Sequence, residues 1–104
     1  VTINFDERNA DELPEVERVE LFRIDGVTYS IPKVIEARRL LGFMQEMRAS
    51  GTEAATVGLL IDCIGQQGYN KLLGLKTLRT ADLKAIFDVV STAAMGSMEE
   101  LTGN

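Results

Sequence analysis

The stretch Val19-Glu20-Leu21-Phe22-Arg23-Ile24-Asp25-Gly26-Val27-Thr28-Tyr29-Ser30-Ile31 decides the fold class. Asp25-Gly26 stands between two runs rich in β-branched and aromatic side chains. A two-residue type I′ turn needs positive φ at both central positions, which these residues tolerate best. A hairpin is therefore expected. Counting outward from the turn sets Ile24 against Val27, Phe22 against Tyr29 and Glu20 against Ile31. Phe22, Ile24, Val27, Tyr29 and Ile31 then share one face, while Arg23, Thr28 and Ser30 take the other. Two strands alone are marginal in water, so the apolar face must pack against the C-terminal remainder of the chain.

That remainder reads as helix. Pro32 ends the second strand and leads into a helix beginning near Lys33, where a missing N–H costs little. Ala37, Leu40, Leu41, Met44 and Met47 recur at three- and four-residue spacing, with Arg38, Arg39 and Arg48 off that stripe. Gly51 is the expected stop and Thr52 the expected N-cap of the next helix. Over 53–67 the chain is apolar nearly all round, with Asp62 its one charge after Glu53, so this helix is expected at the centre of the core with Gly68 closing it. Gly58 and Gly65 within it each cost about 1 kcal/mol relative to alanine unless they permit close contact. A short helical turn is expected over 69–75. Thr80 is the expected N-cap of the last helix, with Asp82 set favourably against the helix dipole. Leu83, Ile86, Phe87, Val90, Ala93, Ala94 and Met98 form its stripe, and its end is expected between Gly96 and Glu100. The fold class is thus α+β, mostly α: an N-terminal β-hairpin followed by a small bundle of three main helices and one short one.

The chain of 104 residues, 45% of them hydrophobic, suits one domain. Its boundaries are expected at 19–98, with an acidic arm over 1–18 and a frayed end over 99–104. The net charge of -5 lies entirely in residues 1–20, where seven acids face only Arg8 and Arg18. The arm reads as a mobile, solvated tail, with a specific docking arm as the alternative; such an arm can also cover a basic or apolar surface until a partner displaces it. The balance of the chain is neutral and lacks the basic stripe that phosphate binding requires, so nucleic acid is not an expected partner. No apolar run approaches the length of about 20 residues that spans a bilayer, so no membrane partner is expected.

Catalysis finds little support. There is no histidine, the commonest general base, and the single cysteine, Cys63, sits in the most apolar helix, where a small buried thiol is the expected role. One cysteine allows no disulfide within the chain and, without histidine, no zinc cluster, which fits a reducing compartment. Asp62 is expected to reach solvent or pair with a base. No phosphate-cradling glycine loop and no calcium loop occurs. Neither catalytic residues nor cofactor or metal ligands are expected. Candidate protein-binding residues are Phe22, Tyr29, Met44, Met47, Met95 and Met98, because aromatic and methionine side chains supply adaptable apolar contact.

The order of features resembles the tail assembly chaperones of long-tailed, siphovirus-type bacteriophages, particularly those of actinobacterial hosts. The resemblance lies in the hairpin from Leu21 to Pro32, the arginine-bearing helix, the apolar helix with Leu59, Leu60 and Ile61, the run Gly68-Tyr69-Asn70-Lys71-Leu72-Leu73, and the helix start from Thr80 to Ile86. It covers residues 19–98. It implies a non-enzymatic protein of the host bacterial cytoplasm that binds the tape measure protein and keeps it soluble while the tail tube assembles. It also implies absence from the mature virion and a longer form of the same chaperone made by ribosomal frameshifting, with 99–104 the region of divergence. Many copies on one long partner would gain from multivalency and from self-association between neighbours. Two other readings stay open: a structural virion component at the head-tail junction or tail end, found in purified particles at ring-like copy number, and a small acidic regulatory adaptor whose binding depends on residues 1–18.

Overall fold

The computed structural model describes residues 2–7 and 16–103. A single 3-10 turn at Phe5–Glu7 comes first, with the Asp6 N–H donated to Asn4 Oδ1 at 3.0 Å. The hairpin is β1 (Arg18–Ile24) and β2 (Val27–Pro32), and the helices are α1 (Ala37–Ser50), α2 (Thr52–Leu73) and α3 (Thr80–Thr102). The architecture is α+β, mostly α, as expected. The middle of the acidic arm expected over 1–18, residues 8–15, lies outside the described residues.

The turn has the expected geometry: Asp25 and Gly26 take φ of 52° and 81°. The strands pair antiparallel, with Ile24 opposite Val27 and Phe22 opposite Tyr29. Beyond that the expected register fails. A bulge at Leu21 inserts one residue into β1, so Ile31 faces Val19 and Glu20 faces Ser30. The extra residue flips the alternation, which turns Val19 toward the core side and lets the Glu20 carboxylate stay in water. Val27 keeps its place opposite Ile24, yet it lies at the turn and is 46% exposed. Arg18 clamps the open end of the hairpin, donating from Nε to Ser30 Oγ at 2.7 Å and from Nη2 to the Ser30 carbonyl at 2.9 Å.

The first helix starts later than the expected Lys33. Residues 33–36 are not helical, because the buried Ile35 N–H donates to Ser97 Oγ of α3 at 2.9 Å. The α1 stripe is also rotated from the expected one. Leu40 and Phe43 are buried and Met47 packs against the core, whereas Leu41 points outward at 68% exposure. Phe43 lies three residues from Leu40 and four from Met47, so the true seam follows helical spacing as well as the expected one does. Gly51, at φ 97°, ends α1 by donating its N–H to the Met47 carbonyl, and its own carbonyl accepts from Ala55 as α2 begins. Thr52 is thus the first helical residue instead of the cap.

The second helix is central: it touches α1, β2 and α3. Leu59 and Leu60 are buried in its middle. It breaks at Gly65, whose φ of 85° is outside helical values, so the short helix expected over 69–75 is the segment 66–73. Gly68 does not close anything. It lies inside that segment, where an added Cβ would stand 2.6 Å from Cε1 of Tyr29, so the absence of a side chain is what lets the hairpin ring settle on the helix. Gly58 shows no such contact. Lys71 Nζ reaches Asp25 Oδ2 of the turn at 3.8 Å.

The last helix is capped at Arg79 instead of Thr80, and the Asp82 carboxylate accepts the Arg79 N–H at 3.1 Å. Ile86, Val90 and Ala94 carry the buried stripe. The helix runs past the expected Gly96–Glu100 end to Thr102, where Gly103 takes a left-handed cap at φ 77°. Among the described residues every buried side-chain nitrogen and oxygen has a hydrogen-bond partner.

Candidate protein-binding surface

Two apolar features stand out among the described residues once the core is assembled. The larger is a channel between the hairpin side of the molecule and α3. Its upper part, about 560 Å³, has Val89, Ala93 and Gly96 on the α3 wall and Val19 and Val34 opposite. Its lower part, about 310 Å³, lies under Leu21, Phe22 and Ile24 and shares Val89 with the upper. On α3 the two linings together run through Asp82, Ile86, Val89, Ala93, Gly96 and Glu100, all at three- or four-residue steps, so they share one side of the helix, whose apolar part from Ile86 to Gly96 is about 15 Å long.

The channel arises from local sequence. On α3 the apolar residues on this side are small or β-branched, and β1 meets them with a bulged strand that touches α3 sparingly. Ser97 at the channel wall has both its hydrogen-bonding needs met within the fold: Oγ donates to the Ala93 carbonyl at 2.8 Å and accepts the Ile35 N–H. The charged rim consists of Lys33, Asp88 and Glu100. Lys33 is engaged by Glu17 at 3.3 Å and Asp88 by Lys84 at 3.1 Å, while Glu100 has no ion-pair partner among the described residues.

The smaller feature is the outward side of α1, where Leu41 is 68% exposed and Met44, one turn on, is also exposed. Arg48 continues the same side with a charge.

The six residues proposed from sequence do not gather into one patch. Phe22 and Tyr29 stack with ring centroids 5.2 Å apart and pack with Met47 and Met98 against the core. Met44 and Met95 are exposed. Met95 borders the channel, sharing a shallow depression with Thr92 and Gly96. The channel residues Val19, Val34, Val89, Ala93 and Gly96 are not among those that sequence reasoning singles out. The signal that could have found them is the run of small side chains on one side of the last helix.

The polar centre of the molecule is modest. Burial pushes the Cys63 thiol above its usual value, and the Arg39 guanidinium, with Nη1 3.8 Å from Sγ, offsets part of that rise. A protonated, half-buried thiol is a weak nucleophile. Asp62 is exposed and shares a small cleft with Arg38 and Arg39. Among the described residues no group of three or more cysteine, aspartate or glutamate side chains is placed to hold a metal ion, and no helix is long and apolar enough to cross a membrane.

Comparison with protein-family models, with curated proteins and with solved structures returns no match.

Proposed function

We propose that this protein binds a long helical partner that exposes apolar stripes before assembly, and that it serves as a bacteriophage tail assembly chaperone for the tape measure protein. The observation that carries the binding half is the channel along α3: an apolar strip about 15 Å long, from Ile86 to Gly96, that lies open beside the hairpin between the acids Asp82 and Glu100. A helix laid in a groove is the recognition mode that such a face suits. The choice of partner comes from the resemblance of residues 19–98 to the phage chaperones. In this reading the protein works without catalysis in the host cytoplasm, alongside its longer form, and leaves before the virion is complete.

Modest affinity per copy suits the role. Many copies along one partner hold it soluble together, and each is displaced singly as tube subunits arrive. Co-expression with the cognate tape measure protein tests the proposal. The expected result is a clear rise in the soluble fraction of that protein. Equal insolubility with and without this chain overturns it.

A further inference from the structure

We infer that the channel along α3 holds one amphipathic α-helix, seated with a small side chain against Gly96 and a lysine or arginine against Glu100. This rests on the reading of the protein as a binder of a helical partner and adds where that partner lies and which chemistry it carries.

Four other occupants fit less well. A small molecule needs convergent polar groups to orient it, and the one buried hydroxyl at the wall, Ser97, is already satisfied by Ile35 and Ala93. An extended strand would draw its affinity from an unbroken main-chain edge, and the bulge at Leu21 interrupts that of β1. A second copy is opposed by charge. It would offer Glu100 another Glu100 or an Asp88 from the same α3 side, and a Lys33 that Glu17 already holds, so it supplies no free base to this rim. The acidic N-terminal arm would bring further negative charge to the same rim.

A helix meets every constraint. Val89, Ala93 and Gly96 make a ridge with a notch, the surface that lets a second helix approach closely. The notch is real space: a Cβ built on Gly96 finds no atom within 4 Å. On the upper rim Lys33 and Asp88 already have partners, so Glu100 is the charge left there for an incoming base. A base near Glu100 also lies at the C-terminal end of α3, where cations are favoured by the helix dipole.

The test uses the full chain and two synthetic peptides of about 18 residues, or about five helical turns, with an alanine/leucine stripe. One peptide carries lysine on its polar face and the other carries glutamate. The expected result is that the lysine peptide binds, shifting the amide resonances of Val34, Val89, Ala93 and Gly96, and that the glutamate peptide binds at least about tenfold more weakly. Glu100→Lys reverses that preference. Gly96→Leu weakens the lysine peptide by about tenfold or more while its melting temperature stays at or above that of the unaltered protein, because the added side chain enters open space and a helical glycine is lost. Absence of binding, equal binding of the two peptides, indifference to Gly96→Leu, shifts centred on Leu41 and Met44, or occupation of the channel by a second copy would each overturn the inference. The two levels separate cleanly. If the peptides map to the channel but the tape measure protein stays insoluble, the chaperone reading falls and the channel stands. If co-expression succeeds equally with Gly96→Leu, the chaperone reading stands and the channel falls.

Discussion

The hairpin meets the helices on two flanks, and it meets them differently. On the β2 flank, Tyr29 lies directly on Gly68, Ile31 is fully buried, and Lys71 reaches back to the turn. On the β1 flank, the strand stands off α3 and leaves the channel centred on Val89. Both flanks are apolar, so hydrophobicity alone does not decide which one closes. Closure comes from a glycine placed under a ring. The open flank also has a glycine, Gly96, but nothing from the hairpin fills the space above it. The same side-chain deletion seals one flank and leaves a vacancy on the other, according to whether the chain itself supplies the knob.

The largest effect expected from attacking this contrast is on the closed flank. Ile31→Ala should cost about 3–4 kcal/mol in urea unfolding, whereas Val89→Ala on the open flank should cost under about 1 kcal/mol. Comparable costs would mean that α3 and β1 close as tightly in solution as the other flank does. Next comes Gly68→Val, which should destabilise by about 2–3 kcal/mol by overpacking against Tyr29. Combining it with Tyr29→Ala should give a favourable coupling of about 1–2 kcal/mol, and simple additivity would show that the ring is not what the glycine accommodates.

Ser97→Ala should cost about 1–2 kcal/mol, since it strands the buried Ile35 N–H, and the Ile35 amide should then exchange faster with solvent. Gly96→Ala should do the opposite and stabilise by about 0.5–1 kcal/mol, because the open flank has room and the helix loses a flexible residue. The smallest effect concerns Cys63. Burial raises its folded pKa, so the folded state holds the thiol proton at pH values where the unfolded chain has released it. Stability should therefore fall as pH rises above about 8.5, the ordinary thiol value, and this slope should vanish in Cys63→Ala. Rapid reaction of the native thiol with a disulfide reagent at neutral pH would contradict that environment.

Much of the fold is legible because its signals are local. Asp25-Gly26 specifies the turn from two residues, and the last helix shows its buried stripe at regular spacing. The bulge is harder to read, although the sequence holds a warning: an uninterrupted register puts Glu20 on the core face opposite Ile31, and a carboxylate there has no partner to repay its desolvation. The phase of α1 is ambiguous in sequence because Leu41 and Phe43 compete for the seam and only the neighbouring helix decides between them. Gly65 and Gly68 look alike in sequence. Their roles separate only in three dimensions, where one bends the chain at positive φ and the other makes room for Tyr29. The channel is least legible, since it depends on the distance between β1 and α3, and no local pattern encodes a gap.

Gly51 carries a further implication for how this architecture can vary. It ends one helix and begins the next with nothing in between, and the two helices pack along their length around that single joint. The angle at which they cross is then governed by one residue's torsions, and a side chain at φ 97° would strain it. Descendants of this chain have no freedom to lengthen that corner. An insertion there would swing α2 away from Leu40 and Phe43 and undo the hydrophobic centre, whereas the link over 74–79, though anchored by Leu75 and Leu78, has exposed residues at Lys76 and Thr77 between which extra ones can be placed. Among proteins sharing this arrangement, the first corner should keep a fixed length and the second should drift.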